Sequence, residues 1–435
     1  MRPAEADILR DRKFLTDIVW NYGSLGIVAL VGVALNILIV LWLGADGLGA
    51  FSQIYAIFAV SGQIVVLGLN DSAQKHASEF ANHPQEQQSL GVAAVVVAAG
   101  LGFSAAVLLA LFSGAIGQLV QSQDVGRGVF FVAPGLCFFS INKVLMGILN
   151  GKRRMVAFAV GQSLRALCIL LVGSFIVVRR GTSSELGLSF TFAEIVLFFS
   201  LIAFIRPLDY KGIQFAHVQR WLPRHITFGG KALVHGFLSE TFLRVDIIML
   251  GLFMADREVG IYSFAAMFVE GVYQVPMVIR TIVNPILVRF LLVKDRLGLA
   301  SFSRRIAMLS FAATVMVAAP ITLVYPYIAS FLSGEVIQAS YWILVILMAS
   351  LSLYAVFIPF DYILLDAGWP GLQSVFMTIN AMINVVLNFA LIPPFGLYGA
   401  CIATAISFIL SCVNLNCFAA RVLGLRGGIL FADKV

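Results

Sequence analysis

Twelve long apolar runs limit what this chain can fold into. They fall at 17–43, 48–70, 90–118, 128–150, 156–178, 187–205, 230–254, 259–286, 306–331, 338–363, 371–392 and 397–420. A helix needs about 20 apolar residues to cross a hydrocarbon core of roughly 30 Å. Several runs show no alternation of polar and apolar residues, which argues against an outer-membrane barrel. No water is present in hydrocarbon to bond the backbone, so helices that satisfy their own N–H and C=O groups remain. Composition points the same way: 60% of the 435 residues are hydrophobic and 12% are charged, against roughly a quarter charged in soluble domains. The expected fold is an all-α polytopic membrane protein of about twelve transmembrane helices, and a water-soluble enzyme is excluded.

The formal charge of +7 is set by sidedness rather than by nucleic acid. Arg2, Arg10, Arg12 and Lys13 precede the first run. Lys75, then Lys152, Arg153 and Arg154, then Arg206, Lys211, Arg220, Arg224 and Lys231 fall in even-numbered connections. So do Arg289, Lys294, Arg296, Arg304 and Arg305, while Arg421, Arg426 and Lys434 follow the last run. The odd-numbered connections hold Arg127, Arg179, Arg180 and Arg257. By the positive-inside rule both termini are expected in the cytoplasm. The first run is too long for a cleavable signal and lacks a small-residue cleavage site, so it is expected to be a retained span. Cys137, Cys168, Cys401, Cys412 and Cys417 all fall within runs, without CxxC spacing or a His cluster. They read as small packing residues rather than metal ligands or disulfide partners.

The least apolar interior segment, 206–229, divides the chain. Its basic residues are interleaved with Tyr210, Phe215 and Trp221, a composition suited to the membrane interface. The expected organisation is a six-helix bundle over 1–205, an interfacial linker over 206–229 and a second six-helix bundle over 230–435. The halves share a faint repeat: 43–55 resembles 253–265, with Gly49 matched to Gly260, Phe51 to Tyr262 and Ser52 to Ser263. Gln63 and Gln274 fall at the same offset. Six spans per half insert in one orientation, giving halves pseudo-symmetric about an axis along the membrane normal, an arrangement known in transporters.

Ionisable groups within spans cost roughly 2.5–3.5 kcal/mol each on insertion scales, so each needs a reason. Arg165, Glu194, Glu240, Arg244, Asp246 and Glu270 fall at mid-membrane, and Lys143, Arg280 and Asp361 nearer the cytoplasmic face. On span eight, Glu270, Tyr273, Gln274, Arg280, Thr281 and Asn284 share one arc at 100° per residue. Glu240 and Arg244, four apart on span seven, are spaced to pair. Gln373, Asn380, Asn384 and Asn388 form a stripe on span eleven. Thr404, Ser407, Ser411 and Asn414 form one on span twelve, which reads as helix glue. Such rows most economically line a water-accessible cavity. Pro134, Pro276, Pro320 and Pro359 are expected inside spans as kinks. No Walker A sequence, GxSxG or HExxH occurs. His76 and His83 in the second loop read as solvated.

Three stretches then resemble a known family. RVDIIMLGLFMADREVGIYSFAAMFVEGVYQVPMVIRTIVNPIL (244–287) looks like the seventh-to-eighth span region of polysaccharide flippases. INVVLNFALIPPFGLYGACIATAISF (383–408) and the opening WNYGSLGIVALVGVALNILIVLWLGADGLGAFS are similar to the same pattern. These flippases are the Wzx-type exporters of lipid-linked oligosaccharides, grouped with MATE-type multidrug antiporters and lipid II flippases. The resemblance implies a MATE-like fold and export of undecaprenyl-diphosphate-linked oligosaccharide to the outer leaflet of a bacterial inner membrane by alternating access. Its implied partners are the lipid-linked oligosaccharide, membrane lipid, a polysaccharide polymerase and a chain-length regulator, with no nucleic acid. The implied substrate cavity takes in Arg165, Arg280, Lys143, Gln63, Gln274, Asn380 and Asn384. Glu270, Asp246, Glu240, Arg244 and Glu194 are left for coupling to H+ or Na+ or for ion pairs, with no other cofactor. A cation-coupled drug antiporter and a membrane-embedded polymerase or ligase are the alternatives. Mid-span Arg165 argues against the first, and the lack of a large basic outer loop against the second.

Overall fold

The apolar runs fold as helices in a computed structural model, which describes residues 12–205, 215–293, 295–328, 334–425 and 427–431. The side chains of 12–15, 18, 205, 231–237, 239–243, 328, 334 and 335 lie outside the described set. The helices are α1 (Arg12–Val66), α2 (Leu69–Glu79), α3 (Pro84–Leu119), α4 (Gln123–Gly151), α5 (Met155–Val178) and α6 (Gly187–Ile205). They continue with α7 (Phe215–Phe253), α8 (Asp256–Val293), α9 (Arg296–Ile328), α10 (Gly334–Tyr354), the short α11 (Ile363–Asp366) and α12 (Pro370–Val422). No strand occurs among the described residues.

Among the described residues nine helices are long and apolar enough to cross a membrane. Two of them are broken by a glycine: α1 at Gly44 (φ 70°, ψ −166°) and α12 at Gly396 (φ 56°, ψ −132°). Only a residue without Cβ takes such angles at little cost, so each of these long helices supplies two spans. The apolar second part of α7 supplies another, and the expected twelve are met.

Two spans end well short of expectation. The second span ends at Val66 rather than 70, because Leu67 and Gly68 turn through left-handed φ values of 48° and 63° before α2 begins. The tenth ends at Tyr354 rather than 363, so Pro359 lies in the 3-10 turn Ile358–Phe360 and not within a kinked span. Proline cannot donate a backbone hydrogen bond and disfavours helix just before it.

The chain forms two compact units, one of Met1–Leu43 with Ala50–Glu240 and one of Gly44–Gly49 with Thr241–Val435. In the first, α4 packs against α2, α3 and α6. Gly117 and Gly126 let α3 and α4 meet backbone to backbone. Hydroxyls add cross-helix bonds, Ser140 Oγ donating to Ala98 O and Thr191 Oγ1 to Phe131 O, each at 2.8 Å. Small residues and hydroxyls do this work in lipid because apolar side chains gain little by leaving one hydrocarbon for another. In the second unit α8 packs against α9 and α10, and α10 against α12. Here the repeat partners Gly49 and Gly260 face each other, and a side chain on Gly260 would collide with the Ala45 carbonyl.

The start of α7, expected as an interfacial segment, is tied into the first unit. Trp221 is buried, and its Nε1–H donates to Glu86 Oε2 at 2.8 Å, while Arg220 donates to Glu86 Oε1 at 2.5 Å. His225 is fully buried; its Nε2–H donates to Leu90 O at 3.0 Å and its Nδ1 accepts from Ser72 Oγ at 2.8 Å. A carbonyl only accepts, which fixes the neutral Nε2–H tautomer. His76 stands with Trp221 and His225 in this cluster, ring centroids 5.0 and 6.0 Å away, so it is packed against rings rather than merely solvated.

Burial pushes the His225 imidazole down to about 4, with neighbouring His76 adding to the effect. A histidine held neutral stabilises the fold above its unfolded value near 6.5, and that contribution is lost as pH falls from 6.5 through 4. Purified protein is expected to lose about 2 kcal/mol of stability from this site between pH 7 and pH 5. His225→Gln is expected to flatten that fall, read from thermal unfolding at a series of pH values.

Candidate functional site

Each unit holds a buried polar cluster drawn from several helices. In the first, the Arg165 Nε of α5 lies 2.6 Å from the Glu194 Oε1 of α6, and the Glu194 side chain is only 1% exposed. Asn142 of α4 donates through Nδ2 to Glu194 Oε2 and to the Glu194 backbone oxygen, each at 2.8 Å. The Arg165 guanidinium and the Lys143 ammonium each stand 5.3 Å from the centre of the Phe139 ring. That ring packs edge-on to Phe58 and faces Gly62, beside half-buried Gln63. Two bases and one acid thus share an aromatic floor, which suits an anionic or polyhydroxylated group.

In the second unit the Asp246 carboxylate of α7 is the hub. Tyr262 of α8 donates its O–H to Oδ2 at 2.8 Å, and Thr404 donates to the same oxygen at 2.7 Å. Asn388 Nδ2 donates to Oδ1 at 2.8 Å, and to Asn384 Oδ1 at 3.0 Å. These contacts gather four helical segments onto the one Asp246 side chain. Asp246, Tyr262, Glu270, Tyr273, Asn384 and Thr404 line a cavity of about 70 Å³, room for a few waters. Glu270 also pairs with Arg244 at 2.8 Å. Further along α8, Arg280 lies 3.8 Å from Asp361 and stacks 3.9 Å over the Tyr362 ring. Tyr354 O–H donates to Asp361 Oδ1 at 3.4 Å.

The residues singled out by sequence therefore separate into sets. Arg165 and Glu194 meet, with Lys143 close to the Phe139 ring, and Gln63 is half-buried on α1. Asn384 joins Asp246 and Glu270 at the second cavity. Asn380 is buried and accepts from Asn414 Nδ2 at 2.9 Å. Arg280 is held by Asp361, and Gln274 is exposed on α8. The described partner of Arg244 is Glu270; the Glu240 side chain lies outside the described set. Asn142, Phe139 and Tyr262 were not singled out for these roles, and Thr404 was read as helix glue. An amide beside Lys143 in an otherwise apolar run was the available signal for Asn142.

Among the described residues no three His, Cys, Asp or Glu converge to hold a metal ion. The groups around Asp246 are instead its carboxylate, the hydroxyls of Tyr262 and Thr404 and the side-chain amides of Asn384 and Asn388. Asn388 Oδ1 is buried there and accepts no hydrogen bond. Such donors fit a hard cation better than a transition metal.

Spans that satisfy their backbone in lipid and bury polar clusters among them define a polytopic helical membrane protein. The chain belongs to the polysaccharide biosynthesis protein family, whose model matches residues 14–291. Its fold is shared with a lipid II flippase, MurJ, in an inward closed conformation: TM-score 0.72 at 15% identity, covering 92% of this chain and 86% of that one. An inward-facing MATE multidrug resistance transporter of the MOP superfamily is as similar, with TM-score 0.73 at 13% identity over 89% and 92% of the two chains. A MOP superfamily transporter from Pyrococcus furiosus, described as having a binding pocket of reversed polarity, gives 0.58 at 13% over 93% and 96%. No curated protein sequence matches the chain.

The Arg165–Glu194 pair makes a stability prediction. Arg165→Ala leaves a buried carboxylate without its cation and is expected to cost about 3 kcal/mol, whereas the paired change Arg165→Met with Glu194→Met is expected to recover most of it. Thermal unfolding of the three proteins in one detergent checks both expectations.

Proposed function

We propose that this protein moves an undecaprenyl-diphosphate-linked oligosaccharide, a precursor of surface polysaccharide, from the cytoplasmic to the outer leaflet of a bacterial inner membrane by alternating access. The observation that carries the reading is membership of the polysaccharide biosynthesis family on a chain with the flippase and MATE transporter fold. The basic bias of the even-numbered connections supports cytoplasmic termini. The tail stays in the bilayer, and the head is what needs help, because a diphosphate with several sugars cannot enter hydrocarbon unaided.

The clusters supply matching chemistry. Arg165 and Lys143 above Phe139 offer charge to phosphate and a ring face to sugar. Arg280, Gln63, Gln274 and Asn380 extend the polar lining along their helices. Asp246, with Asn384, Asn388 and Thr404, takes a proton or sodium ion, and Glu270 beside it tunes the charge through Arg244. Membrane potential assists, since outward movement of two negative charges from a negative interior gains roughly 4–5 kcal/mol at about 100 mV. A polymerase and a chain-length regulator would receive the product.

The test is deletion of the gene in the native host, with lipid-linked intermediates quantified in each leaflet. The expected outcome is loss of surface polymer with undecaprenyl-linked oligosaccharide held in the cytoplasmic leaflet. Normal polymer with new sensitivity to cationic drugs would contradict the reading and favour a cation-coupled antiporter.

A further inference from the structure

One cavity of the first unit lies apart from its polar cluster. It is a groove of about 670 Å³ where α1 begins and where the turn between α4 and α5 passes the end of α6. That volume falls in the range of about 300–1,000 Å³ typical of ligand sites. Its floor is apolar, formed by Met155, Val156, Ala157, Val160 and Phe204. Its rim is basic, because Arg153 and Arg154 stand on the turn, with Lys152 beside them. Arg153 takes a left-handed φ of 51° and its side chain is 55% exposed.

The polar contacts at the rim leave charge to spare. Arg154 Nη1 donates to Phe204 O at 3.0 Å, which uses one of five guanidinium N–H donors. Asp17 lies 3.5 Å from Arg153 and, among the described residues, is the one acid lining the groove; it offsets one of the three bases. Val156 is 45% exposed within a helix that crosses the membrane, so the apolar floor opens towards lipid.

We propose that this groove binds an anionic phospholipid, its phosphate held by Arg153 and Arg154 and one acyl chain laid along Met155, Val156, Val160 and Phe204. Charge complementarity selects the occupant. A basic turn at headgroup depth, joined to an apolar trough, matches a molecule with an anionic head and a long tail. Basic pockets between spans on the cytoplasmic side recognise such headgroups, and that leaflet holds the anionic lipid. The assignment rests on the proposed transport reading only for which leaflet the groove faces. The lipid would brace the α4–α5 turn against α1 and α6.

The test uses the full chain purified in detergent and incubated with phosphatidylglycerol or with phosphatidylcholine of the same acyl chains, bound lipid being counted by native mass spectrometry. Wild-type protein is expected to retain phosphatidylglycerol at least about fivefold over phosphatidylcholine. The double variant Arg153→Gln with Arg154→Gln is expected to lose that preference. Val160→Trp, which fills the trough and keeps the charges, is expected to reduce retention of both lipids. Equal retention of the two lipids by wild type, or unchanged retention by both variants, would overturn the site. Displacement by millimolar inorganic phosphate would mark a plain anion site, and preferential capture of undecaprenyl phosphate would mark a substrate entry; either would also overturn it. Binding is read without any transport step, so loss of the transport reading leaves this measurement decisive.

Discussion

A polar side chain inside a membrane-spanning unit has no water to fall back on, and most of the structure follows from that. Glu194 is buried to 1% exposure and is met by Arg165 and twice by Asn142. Asp246 collects Tyr262, Asn388 and Thr404. Each carboxylate therefore fixes the rotation of three or four helical segments at once, something Leu and Val cannot do when the surrounding solvent is itself hydrocarbon. The same interactions concentrate polarity in two places, so the groups that orient the helices are also those best placed to meet a polar cargo or a coupling ion.

Backbone conformation supplies the second constraint. Gly44 and Gly396 break two long helices where only glycine does so cheaply. Gly49 and Gly260 permit a backbone approach that any side chain would block. That last contact gives the weak sequence repeat a physical meaning, since residues matched at one offset stand against each other in the same unit.

The spans were legible because hydrocarbon thickness and backbone satisfaction act on every stretch of about 20 residues independently of the rest of the fold. Where local turn geometry took over, the reading slipped, as at Leu67–Gly68 and after Tyr354. The charged members of each cluster were legible too, because a charge in an apolar run stands out. Their partners were less so. Helical spacing offered Glu240 to Arg244, and the Glu240 side chain lies outside the described set; spacing along one helix says nothing of a residue on the next, such as Glu270, which pairs with Arg244. Phe139 and Tyr262 looked like ordinary apolar-run residues until the fold placed one under Arg165 and the other on Asp246.

The central claim is that the buried polar clusters serve transport and are not merely structural. Asp246→Asn tests it most directly, because the side chain keeps its shape and loses the charge. The variant would be expressed in a strain lacking the native gene, with membrane abundance and surface polysaccharide measured together. The account predicts wild-type abundance with surface polymer lost. Full display at wild-type abundance would contradict it, and so would disappearance of the protein from the membrane, which would make the Asp246 hub an element of the fold alone.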